Sequence, residues 1–115
     1  MNKKSTRYYS TQQEKQIAKN VGGRRTANSG ATMFSKGDVV TKDWMFEAKT
    51  CMKEQDSFSI KKEWLDKLKQ EAFGNNKPFY SLVFNFGISS EENFYIISEK
   101  HFKQILKILE EYEEK

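Results

Sequence analysis

Residues 37–49 read GDVVTKDWMFEAK, and the way this stretch folds governs the rest of the chain. It predicts an antiparallel hairpin with strands over Asp38–Val40 and Trp44–Thr50, joined by a tight turn at Thr41–Asp43. Strand side chains alternate between faces, so Trp44, Phe46, Ala48 and Thr50 share one face and Met45, Glu47, Lys49 and Cys51 share the other. The turn folds Asp38 back towards Glu47 and Lys49, which brings two acids and a lysine to one spot. That set suits metal-dependent phosphodiester chemistry: carboxylates to hold a hard cation, and a lysine to orient or deprotonate water and offset anionic charge. An ion pair between Glu47 and Lys49 on a half-exposed sheet would use the same residues and contribute little. Met45 and Cys51 flank the pair, however, and a polar cluster on a partly closed face is a site candidate. Cys51 itself reads as a small buried residue.

Upstream, Thr11-x-x-Glu14 fits a capping box and Gly22-Gly23 a helix end, so the first helix is expected from Thr11. Its apolar positions are Ile17, Ala18 and Val21, and Glu14 falls on the same inward stripe. Glu14 therefore caps the helix, meets a cation inside, or does both. Residues 22–37, GGRRTANSGATMFSKG, form a long connection of the kind that is functional or disordered. Arg24 and Arg25 there can grip phosphates, Lys36 adds positive charge, and Ser29-Gly30 offers a hydroxyl and a permissive backbone. Residues 1–10, with Lys3, Lys4, Arg7, Tyr8 and Tyr9, read as a basic flexible arm before a domain spanning 11–115.

Downstream, a polar loop leads to a second helix with Ser59 as N-cap and Ile60, Trp64, Leu65, Leu68 and Ala72 on its buried stripe. Lys62, Asp66, Lys69 and Gln70 project elsewhere, and Gly74-Asn75-Asn76 stops the helix. Lys61 and Lys62 oppose the helix dipole, as surface lysines or as phosphate ligands. The apolar run from Phe79 to Phe86 reads as a central strand, with an antiparallel neighbour at residues 93–98. Ser98 then caps a last helix with Phe102, Ile105, Leu106, Leu109 and Tyr112 inward and His101 structural. The order α-β-β-α-β-β-α gives an α/β (α+β) fold with one mixed β-sheet flanked by helices.

The chain has 115 residues, 37% hydrophobic and 14% aromatic, enough for one ordinary domain. No apolar run approaches a membrane span, and no signal-peptide pattern is present, so neither a membrane nor a secretory route is expected. One cysteine and one histidine exclude an internal disulfide, a cysteine zinc site and a multi-histidine site. A reducing, cytoplasmic setting and oxygen ligands for Mg²⁺ or Mn²⁺ are what remain. Residues 1–36 hold eight lysines and arginines against Glu14 alone, a net +7. With +4 overall, the remainder carries −3. A basic third on a mildly acidic body suits a polyanion, most simply nucleic acid, or makes a solvated basic tail.

In this setting the chain resembles the PD-(D/E)xK nuclease superfamily. Glu47-Ala48-Lys49 matches the E-x-K half, and Asp38 the first acid, with Gly37 where the superfamily places proline. The order Glu14, Ser29-Gly30, Gly37-Asp38 and Glu47-Ala48-Lys49 is most similar to Holliday junction resolvases of archaeal and phage type, over roughly residues 11–86. The resemblance implies a restriction-endonuclease-like core and Mg²⁺-dependent hydrolysis of a DNA phosphodiester, with Mn²⁺ able to substitute and no small-molecule cofactor. It implies metal ligation by Asp38, Glu47 and the Ala48 carbonyl, with Glu14 on a second metal or its water shell. Lys49 would act on the attacking water, and Arg24, Arg25, Ser29, Gly30, Lys36 and Gln70 would contact DNA. It implies a homodimer acting on branched DNA in a bacterial, archaeal or phage-infected cell. A general or nicking nuclease and a non-catalytic DNA-binding module are the rival expectations.

Overall fold

The computed structural model describes residues 6–26, 38–87 and 92–114. Their order is α1 (Thr6–Val21), β1 (Arg24–Arg25), β2 (Val39–Val40), β3 (Trp44–Lys49), α2 (Lys62–Gly74), β4 (Phe79–Phe84), β5 (Phe94–Ile96) and α3 (Glu99–Glu113). The strands make one five-stranded sheet in the order β1-β2-β3-β4-β5. β3 and β4 run parallel, and the other pairs are antiparallel. Parallel neighbours need a long connection, which α2 supplies. The fold is therefore α+β with a single mixed sheet. No helix among the described residues is long and apolar enough to cross a membrane.

The expected hairpin forms, with Val39 opposite Phe46 and Val40 opposite Met45. Met45 and Phe46 point to opposite faces, and both are buried. Phe46 joins Ile17 of α1, Val39 and Val83 in one core cluster. Met45 joins Leu68 and Ala72 of α2, Val40 and Leu82 in the other. The sheet is thus a middle layer with α1 on one face and α2 on the other.

Four expectations change. The first helix starts at Thr6, not Thr11, so residues 6–10 of the expected arm are helical. Residues 6–21 contain neither Gly nor Pro, and nothing stops the helix from running through Thr11. It ends as expected: Gly22 takes φ +69°, and the Gly23 amide donates to the Ala18 carbonyl at 2.9 Å. A side chain on Gly23 would meet the Val40 carbonyl at 2.6 Å. Arg24-Arg25, expected within a loop, forms an edge strand paired with Val39-Val40. The second helix begins at Lys62 after an N-cap at Lys61, so Ser59 caps nothing and Ile60 is 37% exposed. The last helix is capped as expected, with Ser98 Oγ accepting from the His101 amide at 3.2 Å. Its apolar stripe, expected inward, is exposed at Phe102, Leu106, Leu109 and Tyr112, with Ile105 half-buried. Only His101 is buried there, edge-on to the rings of Phe79 and Tyr80. Burial and the neighbouring Lys100 hold its pKa below the usual histidine value.

Leu68 sits at the centre of the α2 contact with no exposed surface. Leu68→Ala is expected to cost about 2–5 kcal/mol of unfolding free energy in urea titrations. A loss well under about 1 kcal/mol would contradict the packing of α2 on this face.

Candidate functional site

The site grows from the register of the hairpin. Asp38 immediately precedes β2, and its amide donates to the Phe46 carbonyl at 2.9 Å, which continues the ladder one residue beyond Val39. Its side chain then reaches across: Oδ2 accepts from the Ala48 amide at 2.7 Å. That contact fixes the Asp38 carboxylate against Glu47-Ala48-Lys49.

Glu47 follows Met45 on the α2 face of the sheet and is half-buried. Its pKa is raised, chiefly by burial. Lys49 opposes the shift, Asp38 and Glu71 add to it, and Lys67 opposes it in turn. Lys49 lies 4.2 Å from the ring centroid of Trp64 on α2, a cation–π contact that holds the ammonium beside Glu47.

Glu14 comes from α1 on the other side. Its side chain is 12% exposed, and Arg25 Nε donates to its Oε1 at 3.3 Å. Its pKa is raised by burial first and by the Asp38 charge second, with Arg25 pulling the other way. Glu14 is therefore an inward carboxylate met by a cation. With the helix starting at Thr6, it does not serve as part of an N-terminal cap. α1 is pinned to the end of β3 by Gln13, whose Nε2 donates to the Lys49 carbonyl at 3.2 Å and whose Oε1 accepts from Thr50 at 2.8 Å.

The other sequence candidates separate. Arg25 is engaged with Glu14. Arg24, next along the edge strand, lines a shallow groove with Gly22, Thr41, Lys42 and Lys77. Gln70 does not face the acids; it lines the groove between α2 and α3 with Lys69, Tyr80 and His101. The residue that α2 brings to Glu47 is Glu71, 11% exposed and 3.7 Å from Lys67 Nζ. Glu71 escaped the sequence reading. Yet it lies seven residues after Trp64 and three after Leu68, a spacing that puts it on the inward stripe. Cys51 lies beyond the end of β3 and is buried. Its Sγ donates to the Lys53 carbonyl at 2.9 Å and accepts from Gln55 at 2.8 Å, apart from Glu47. Ser29, Gly30 and Lys36 lie outside the described residues.

Asp38 thus lies close enough to both Glu14 and Glu47 to add to the burial-driven rise in their pKa values, and Lys49 and Glu71 also act on Glu47. Among the described residues, no three acidic, histidine or cysteine side chains converge tightly enough to hold a metal ion together. Two carboxylates with a backbone carbonyl form an oxygen donor set of the kind Mg²⁺ accepts, since Mg²⁺ takes one or two carboxylates and keeps several waters. No protein-family model, curated protein or solved structure matches this chain.

A carboxyl whose folded pKa is raised binds its proton more tightly when folded. Its stabilising contribution is complete below the unfolded value, 4.5 for Glu47, and is lost as pH rises through the folded pKa. Glu47→Gln, which mimics the neutral form, is expected to raise Tm at pH 7. The gap should close as pH falls below that value. Thermal melts across pH check this, and a variant less stable than wild type at pH 7 would contradict the reading.

Proposed function

We propose that this chain is a Mg²⁺-dependent DNA endonuclease of the PD-(D/E)xK kind that hydrolyses backbone phosphodiesters at four-way junctions. The observation that carries the reading is the 2.7 Å contact from Asp38 Oδ2 to the Ala48 amide. It joins the first acid to the E-x-K triplet at the C-terminal end of β3. The raised pKa of Glu47 supports it, because a carboxylate desolvated by burial, with Asp38 and Glu71 near it, gains more from a bound cation than an exposed one does.

In this reading Asp38, Glu47 and the Ala48 carbonyl hold the cation, which when bound polarises the phosphate and its attacking water. Lys49, kept beside Glu47 by the Trp64 ring, orients that water and offsets charge on the phosphorane. One P–O bond of the backbone would break as the oxygen of water bonds to phosphorus; the water gives up a proton, and the departing sugar oxygen takes one up and leaves as a hydroxyl. Glu14 supports the water shell from the α1 side. Its pairing with Arg25 gives that arginine two partners to exchange between, the carboxylate and a DNA phosphate. The edge strand presents Arg24 to the neighbouring backbone. Junction preference follows from two such sites held at fixed spacing in a homodimer.

The test is cleavage of a labelled four-way junction and a matched duplex by wild type and Glu47→Gln, with Mg²⁺ or EDTA. Paired cuts near the branch point are expected only with metal and only from wild type. Mg²⁺ is also expected to raise the Tm of wild type more than that of the variant. Junction affinity should fall roughly 10³-fold or more between about 50 and 200 mM salt if several phosphates are neutralised. Equal cutting of both substrates would leave a nuclease without junction preference. Salt-sensitive binding with no cutting under any metal would leave a DNA-binding module and overturn the catalytic roles of Asp38, Glu47 and Lys49.

A further inference from the structure

α3 carries Phe102, Ile105, Leu106, Leu109 and Tyr112 at steps of three and four, which line one side of the helix. Phe102 is 50% exposed, Leu109 53% and Tyr112 76%. Its one buried side chain is His101 in the first turn, and Ile105, one turn on, is half-buried. A stripe of this kind over a whole helix marks an interaction surface.

The charges on α3 say what covers it. Behind Glu99 in the first turn, Lys100, Lys103 and Lys107 run along the helix to just past its middle, and Glu110, Glu111, Glu113 and Glu114 lie at its C-terminal end, where the last turn holds no basic residue. Acids at a C-terminus work against the helix's own dipole. A parallel neighbour would set lysine beside lysine and glutamate beside glutamate. An antiparallel copy related by a two-fold axis sets each acidic end beside the basic half and the positive dipole end of the other.

We propose that α3 is a self-complementary dimerisation helix, pairing antiparallel with α3 of a second copy through this stripe. Such an interface is isologous and closes at two chains. The inference stands on α3 alone and survives or fails independently of any nuclease activity.

The test is sedimentation velocity of the full chain over a wide concentration range, with circular dichroism to confirm folding. Wild type is expected to dimerise reversibly, and Leu109→Glu to remain monomeric. One charge-block variant carries Lys100→Glu, Lys103→Glu and Lys107→Glu; another carries Glu110→Lys, Glu111→Lys and Glu114→Lys. Each alone should lose most self-association, and an equimolar mixture should recover it as a heterodimer. The substituted side chains are exposed, so folding should persist. A wild type monomeric at every concentration would overturn the proposal. So would a dimer indifferent to Leu109→Glu, or folded block variants that stay monomeric when mixed; those results would assign the stripe to a different protein or to no partner.

Discussion

The burial of both faces of β3 is the constraint on which the molecule depends. Met45 and Phe46 are adjacent, point in opposite directions and are each shut off from water. A strand in that position needs a helix above and a helix below. It also needs a hydrogen-bonded neighbour on each edge, since an unpaired backbone group inside the core is costly. β2 supplies one edge through the hairpin, and β4 supplies the other through the crossover by α2. The polar residues that continue the strand, Glu47 and Lys49, are consequently carried into the margin of the core rather than onto an open surface.

That placement sets the electrostatics of the candidate site. Glu14, Asp38, Glu47 and Glu71 approach from α1, the hairpin and α2, while Arg25, Lys49 and Lys67 stand among them. Burial raises the pKa of Glu14 and of Glu47, neighbouring acids add to it, and the cations beside them offset only part of the rise. Evolution for stability alone would have relieved such crowding with neutral side chains. Half-buried carboxylates held this close together cost the fold stability. Asp38 is held differently from the others. Its bond to the Ala48 amide ties that carboxylate to the backbone.

Much of this was legible in the sequence, and what was not has identifiable causes. The hairpin could be read because a period of two separates faces without ambiguity, and Asp38 followed from the turn. The Gly22-Gly23 stop was legible because only glycine suits the left-handed turn and the close approach to Val40. β1 was not legible. Two arginines have no strand preference of their own, and their extended form comes from pairing with Val39-Val40. The Thr11–Glu14 spacing imitated a helix start within a longer helix, since local capping patterns carry no information on what precedes them. Glu71 sat at the correct spacing but was masked by its chemistry, because a glutamate on a stripe is ordinarily read as solvated. Periodicity also identified α3 as amphipathic while saying nothing about what its apolar side would meet.

The sheet separates these two features in space. β3 and β4 run parallel, so their C-terminal ends lie on one side, and ligands of open sheets with parallel strands gather beyond such ends. Glu47 and Lys49 pair with Leu82 and Phe84 there. α3 docks its first turn at the opposite end, where His101 meets Phe79 and Tyr80 and Trp44 pairs with Phe79. A copy bound along α3 therefore begins from the end of the sheet opposite Glu47 and Lys49, where the Phe79 amide donates to the Asp43 carbonyl. The proposed dimer contact along α3 and the proposed DNA contact at Glu47 and Lys49 thus start from opposite ends of β3 and β4 and need not compete for surface.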